Sequence, residues 1–140
     1  MKKSAFHLSL PCLSISETKQ FYTELLSADL GRHTQQWLDI DLFGNQITFT
    51  KSGEYSFRSK SYKFEEVILP SFHFGAIVTD DVWTSLYAEL NRKGVIVSAQ
   101  KTFLENKIGE HKSFFVDDPN GYTLEFKCFK SAKDMFVHRE

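Results

Sequence analysis

Short stretches of the chain alternate apolar and polar residues, the mark of half-buried strands, and two longer stretches repeat apolar residues at helical spacing. From Ala5 to Leu10, Phe6, Leu8 and Leu10 fall on one face and His7 and Ser9 on the other, so this segment reads as a strand. Ser14-Ile-Ser-Glu17 is a capping box, and Phe21, Tyr22, Leu25 and Leu26 follow at helical spacing until Gly31. Gln36 to Leu42 alternates again, with Leu38, Ile40 and Leu42 apolar, and Phe43-Gly-Asn45 turns the chain into a second strand at 46–51. Residues 52–69 are rich in Ser, Lys and Glu, carry isolated Tyr and Phe with poor periodicity, and read as a linker with room for partial order. After Pro70 come a strand at 72–78, then a helix opened by Thr79 or Asp80 and carrying Val82, Trp83, Leu86, Tyr87 and Leu90 before Gly94. Strand candidates follow at 95–104, 109–117 and 122–129, the last two joined by the turn Asp117-Asp-Pro-Asn-Gly121, and 130–140 is a charged tail.

The order of elements is met twice. Phe6-His7-Leu8 matches Phe72-His73-Phe74 at an offset of 66, Phe21-Tyr-Thr-Glu-Leu25 matches Leu86-Tyr-Ala-Glu-Leu90 at 65, and Ile47-Thr48-Phe49 matches Leu124-Glu125-Phe126 at 77. Such a recurrence predicts an α+β fold of two tandem modules, at 5–51 and 70–129, within one domain of 140 residues.

His7, His73 and Glu125 each lie between apolar neighbours on a strand: Phe6 and Leu8, Phe72 and Phe74, Leu124 and Phe126. Those neighbours must face the helices, so the two imidazoles and the carboxylate project from the opposite, inner face of a curved sheet. A single His on a half-buried strand is ordinarily a satisfied polar residue. What singles these out is the repeat, which makes His7 and His73 equivalent positions. Two imidazoles and one carboxylate on one face of a metal suit Fe(II) activating dioxygen, and Mn(II), Ni(II), Co(II) or Zn(II) accept the same donors. Trp37, Asp39 and Asp41, with Gln46, Thr48 and Thr50 on the next strand, point to the same side and are candidate substrate contacts or groups that orient the imidazoles.

Composition narrows the class of partner. Fourteen Phe, five Tyr and two Trp must be buried or line something apolar. Phe6, Phe21, Phe72, Phe74 and Phe126, joined by Phe49, belong on the helix-facing side. Phe103, Phe114 and Phe115 are left for a cup or a subunit contact. A net charge of −1 with scattered Lys and Arg argues against nucleic acid and anionic membrane surfaces and for a small-molecule substrate. Met-Lys-Lys looks like the start of a signal peptide, but His7, Ser9 and Pro11 interrupt any apolar run behind it, and the expected compartment is cytoplasmic. Cys12 and Cys128 read as small buried side chains, His33 and His138 as surface residues. No phosphate loop, nucleophile elbow or closely spaced zinc cluster is present.

Phe-His-Leu at 6–8, Ser-Phe-His-Phe-Gly at 71–75 and Phe-Phe-Val-Asp-Asp-Pro-Asn-Gly-Tyr-Thr-Leu-Glu-Phe at 114–126 resemble the vicinal oxygen chelate superfamily. That superfamily includes glyoxalase I, bleomycin-resistance proteins and type I extradiol dioxygenases. With Trp37-Leu-Asp-Ile-Asp-Leu-Phe-Gly44, the chain looks closest to small bacterial proteins described as predicted extradiol dioxygenases. The resemblance implies paired βαβββ modules forming a metal-holding cup with helices outside, a divalent metal held by His7, His73 and Glu125 with Fe(II) the first choice, and a homodimer. It implies a dioxygenase-like reaction on a substrate chelated through vicinal oxygens. The alternatives are a glyoxalase-like isomerase or lyase and a metal-free binding protein. The fourth ligand of glyoxalase I would fall on Thr48, a poor ligand. The tyrosine that extradiol enzymes carry before the Asp-Pro turn falls on Phe115, and their upstream histidine falls near Asn106-Lys-Ile108. His111 and Tyr122 are the nearest groups that could handle a proton, and Trp37, Thr48 and Phe115 the nearest to a substrate.

Overall fold

A computed structural model describes residues 3–54 and 56–138; Met1, Lys2 and the last two residues of the charged tail lie outside them. The chain divides into two compact units. The first comprises Met1–Phe57 with Asp118–Gly121, the second Arg58–Asp117 with Tyr122–Glu140.

In the first unit, β1 (His7–Cys12), β2 (Asp29–His33), β3 (Trp37–Leu42) and β4 (Asn45–Lys51) form one sheet in the order β1-β4-β3-β2. β1 runs parallel to β4, and β3 antiparallel to both of its neighbours. The helix α1 (Ile15–Gln20) starts where the capping box predicts, with the Glu17 amide donating to the Ser14 hydroxyl at 3.2 Å. It then widens: the Leu26 amide bonds the Phe21 carbonyl, five residues back, and Phe21–Leu25 form a π-turn. That turn buries Phe21, Tyr22 and Leu26 together, with Tyr22 packed 4.9 Å from Phe49, and ends the helix short of the Gly31 that the apolar spacing predicts. The hairpin β3–β4 closes on Phe43 (φ 52) and Gly44 (φ +85), two successive left-handed residues, with the Gly44 amide donating to Asp41 at 2.7 Å.

The segment Asp118–Gly121 is part of this unit for a visible reason. The Tyr22 hydroxyl donates to Asp118 at 2.8 Å, and Asn120 accepts from the Leu13 amide at 2.9 Å and donates to Thr18 at 3.2 Å. The Asp-Pro-Asn-Gly turn is thus also an anchor for α1.

In the second unit, β7 (Phe74–Ile77), α2 (Asp80–Arg92), β8 (Ser98–Phe103), β9 (His111–Asp117) and β10 (Thr123–Phe129) build a sheet of order β7-β10-β9-β8. This is the same first-fourth-third-second arrangement, again with its first strand parallel to its fourth. The repeat read from the sequence is a repeat of βαβββ topology. On the face toward α2, Trp83 packs 5.2 Å from Phe114 and donates its indole N–H to the Phe126 carbonyl at 3.0 Å. Phe114 therefore belongs to the helix-side core rather than to a cup, because its even position shares the face of Phe126, its partner in β9–β10. Phe6 departs the other way: it lies just before β1 and is 60% exposed. Cys12 and Cys128 are free and buried, and burial pushes both thiols up from their ordinary values.

Residues 52–69 are not a bare linker. Ser61–Phe64 (β5) and Val67–Pro70 (β6) pair as an antiparallel hairpin. The hairpin lies on the face of the second sheet that α2 leaves uncovered: Leu69 joins Phe103 and Phe115 in one buried cluster, and Phe64 stacks on Phe103 at 5.3 Å. No described helix is long and apolar enough to cross a membrane.

Candidate metal centre

Two of the three ligand candidates meet in the second unit. The His73 Nε2 lies 3.1 Å from Glu125 Oε1, with both side chains largely buried. His73 stands just before β7 and Glu125 in the middle of β10, where its Cα partners are Gly75 and Phe115. The backbones at Gly75 and Glu125 approach so closely that a Cβ on residue 75 would sit 1.7 Å from the Glu125 carbonyl oxygen. Only glycine fits, and the approach sets where the carboxylate stands.

Each member of the pair has a second hold. The Nδ1–H of His73 donates to the Pro70 carbonyl at 3.0 Å, so the end of the β5–β6 hairpin fixes the ring with Nε2 turned to Glu125. Ser113 donates to Glu125 Oε2 at 2.6 Å, and the Lys127 ammonium lies 3.9 Å from the same oxygen. Around them, the Phe115 ring meets the His73 ring edge-on at 6.1 Å, and Tyr62 lies nearly parallel to it at 6.3 Å. Burial and then the Glu125 charge hold the Tyr62 phenol above its ordinary value, so it is a neutral hydrogen-bond donor.

The hydrogen bond to Glu125 raises the pKa of His73 against the opposing effect of burial, helped by the Pro70 carbonyl and the Glu125 charge. Burial would raise Glu125, but hydrogen bonds from His73 and Ser113 and the Lys127 charge outweigh it and hold the carboxyl below its ordinary range. The sign follows for stability without metal. The raised His73 contributes fully below the unfolded imidazole value of about 6.5, and this is lost as pH rises through its folded value. The lowered Glu125 contributes fully above about 4.3, and this is lost as pH falls through its folded value. Urea midpoints of metal-free protein should peak between those limits, and Glu125→Gln should flatten the peak. An unchanged profile in that variant would contradict the pairing.

The geometry and donor set fit a divalent metal. Two ligand atoms about 2.1 Å from an ion at a right angle are about 3.0 Å apart, and His73 Nε2 and Glu125 Oε1 are 3.1 Å apart. These two atoms are joined by a hydrogen bond, and they are the pair through which His73 and Glu125 would hold an ion. Among the described residues no group of three or more His, Cys, Asp and Glu side chains is clustered as a metal site. His7, at the exposed start of β1 with Gln46 as its Cα partner, belongs to the first unit.

The other candidates are placed as follows. Thr48 holds in β4 the place that Glu125 holds in β10, and its hydroxyl donates to Asp39 at 2.6 Å. Asp39 also accepts from Arg32 Nε at 3.0 Å and Gln46 at 3.2 Å; burial opposes ionisation there, and these three bonds with the Arg32 charge overcome it. The Arg32 guanidinium lies 5.5 Å over Trp37. Asp39 thus organises the inner face of the first unit. Tyr122 is packed against Phe72 and Phe74, on the helix side of the second sheet. His111 shares the face of Glu125 but sits four residues along β9 from Phe115, about 13 Å at the rise of a strand. Sequence reasoning missed Ser113, Tyr62 and the Pro70 carbonyl. Ser113 could have been found by parity, since it lies two residues from Phe115 on the face of Glu125.

A model of the Glyoxalase/Bleomycin resistance protein/Dioxygenase superfamily matches residues 4–126. Among solved structures, the chain is 27% identical to a glyoxalase/bleomycin resistance protein/dioxygenase from Alicyclobacillus acidocaldarius, with a TM-score of 0.79, covering 96% of this chain and 97% of that one. The fosfomycin resistance protein FosX from Listeria monocytogenes shares the fold at 12% identity, with a TM-score of 0.67 over 97% of this chain and all of its own. No curated protein matches. Members of the superfamily generally use divalent metal ions, bind small molecules and often form dimers. With the match spanning most of the chain and two βαβββ units in the fold, this protein belongs to the glyoxalase/bleomycin resistance/dioxygenase superfamily, the vicinal oxygen chelate proteins.

Proposed function

We propose that the protein is a mononuclear metal-dependent enzyme of the extradiol-dioxygenase type, with His7, His73 and Glu125 as ligands, acting on a small substrate that presents vicinal oxygens. The observation that carries the reading is the His73–Glu125 pair, with Nε2 and Oε1 at the spacing of adjacent ligands and each held by a further hydrogen bond. A divalent metal there supplies Lewis acidity toward the chelated oxygens and, as Fe(II), access to dioxygen. The chain supplies the rest. Pro70 orients His73, Ser113 orients Glu125, and the buried Leu69, Phe103 and Phe115 keep water from one side. Tyr62 offers a neutral O–H beside the imidazole. Thr48, spent on Asp39, leaves the first unit without the fourth carboxylate of a glyoxalase-type site. A homodimer is the proposed assembly and the cytoplasm the proposed compartment.

One feature favours a second enzyme reading. Phe115, in register with Glu125, can neither give nor take a proton, so a catechol's protons find no phenol at that position. An isomerase or lyase acting through the same ligands would need no phenol at that position. Oxygen uptake by anaerobically prepared, Fe(II)-reconstituted protein on a panel of catechols separates the two. Fe(II)-dependent uptake with any catechol supports ring cleavage. Stoichiometric metal without uptake on any catechol, together with solvent exchange of the carbon-bound proton of an α-hydroxyketone, supports the second reading.

A further inference from the structure

The second unit contains a cleft that the metal centre does not use. It has a volume of about 640 Å³, within the range of small-molecule sites. It is bounded by Leu104, Ile108, His111, Phe129, Met135 and Val137, with Lys107 and Asp134 also on its walls. Its lining is apolar apart from that pair of opposite charges and one imidazole.

The imidazole is held as a recognition group would be. His111 lies in β9 between Phe103 of β8 and Phe129 of β10, both its Cα partners. The ring contacts both, with centroids 5.4 Å from Phe103 and 5.1 Å from Phe129. Its Nδ1–H donates to the Gly109 carbonyl at 2.8 Å, which fixes the ring and leaves Nε2 as the nitrogen free to accept. Although His111 is only 8% exposed, no buried side-chain nitrogen or oxygen among the described residues lacks a partner, and none of the described residues bonds this Nε2, so the nitrogen is not fully enclosed. His111 is one of the residues that line the cleft, and this nitrogen is the acceptor it has to offer there. Ile108 and Val137, on its walls, are 44% and 48% exposed, an apolar surface without cover.

We infer that this cleft is a binding site for a small monohydroxylated aromatic molecule, its ring against Phe129, Ile108 and Met135 and its hydroxyl donating to His111 Nε2. An aromatic body suits the lining, and the His111 acceptor, set between two of the aromatic rings, calls for a donor on that body. The site lies wholly within the second unit and stands whether or not the metal centre is as proposed above.

Phenol and toluene are the probes, because they match in size, differ by the hydroxyl, and do not chelate a metal. Binding is followed on the full chain by the His111 ¹⁵Nε2 resonance and by calorimetry. Phenol should bind once per chain, move the Nε2 resonance saturably, and bind about three- to tenfold more tightly than toluene, the value of one net hydrogen bond. His111→Phe should keep toluene binding and lose the preference for phenol; Leu104→Trp should fill the cleft and abolish both. Binding should be the same with and without EDTA. Absence of saturable phenol binding would overturn the inference, as would a phenol preference that survives His111→Phe, or phenol binding that requires metal. If the cleft were instead filled by a second copy, phenol would fail to bind to the associated form and sedimentation would show Leu104→Trp dissociating it, which also overturns the inference.

Discussion

Gly75→Ala should unfold the site rather than merely perturb it. The added Cβ would stand 1.7 Å from the Glu125 carbonyl oxygen and 2.7 Å and 2.9 Å from its carbonyl carbon and amide nitrogen. All three are backbone atoms, so no side-chain rotation relieves the clash; β7 or β10 must move bodily. β10 is paired on its other edge with β9 over Thr123 to Phe129, and Trp83 and Phe114 pack against its outer face. Moving β7 instead disturbs the approach to His73. Overpacking against side chains costs about 1–3 kcal/mol, and an encounter between two backbones belongs at or beyond the upper end. A loss of about 3 kcal/mol or more in urea unfolding is expected, with metal binding lost from whatever folded fraction remains. A variant within about 0.5 kcal/mol of wild type, binding metal normally, would contradict the close approach and its role in seating Glu125.

The second large effect concerns the ligands one at a time. His73→Ala removes Nε2 and leaves Glu125 with Ser113 and Lys127 as its remaining partners. Metal affinity should fall at least about 100-fold, the upper end of what loss of a supporting partner costs, since here the ligand itself goes. Ser113→Ala, which removes only the orienting hydrogen bond, should cost about 10-fold. His7→Ala should resemble His73→Ala in metal affinity but not in stability, because His7 is exposed at the start of β1 whereas His73 is packed between Tyr62 and Phe115. Equal affinities for His7→Ala and wild type would remove His7 from the ligand set.

The parts legible in the sequence are those in which one periodicity decided the answer. Alternation places Leu38, Ile40 and Leu42 in the first core and Glu125 on the face away from α2, and the matched His7 and His73 positions disclose the duplication from sequence alone. The hairpin at 61–70 was hard to read because Tyr62 and Phe64 alternate over only four residues, all of them exposed; it is held by Phe64 on Phe103 and Leu69 in the Phe103–Phe115 cluster, contacts distant in sequence. β2 was missed for a similar reason: Asp29–His33 buries almost nothing, and a bulge between Leu30 and His33 interrupts its register. The pairings Pro70–His73 and Ser113–Glu125 depend on register and on a turn carbonyl, and no spacing rule announces them. The Phe content was read correctly in kind and misassigned in part. Parity alone sends Phe114 to the helix side and Phe115 to the site, whereas adjacency in sequence had grouped them.

If His73 and Glu125 are the proposed ligands, a metal ion must displace the proton of the hydrogen bond that joins them. Anaerobic calorimetric titration of Mn(II) or Fe(II) into the metal-free protein near pH 6, in buffers of different ionisation enthalpy, measures stoichiometry, affinity and proton release together. One metal per chain, bound with release of close to one proton and abolished in His73→Ala, is the predicted result. Binding without proton release, or binding that His73→Ala leaves unchanged, would contradict it.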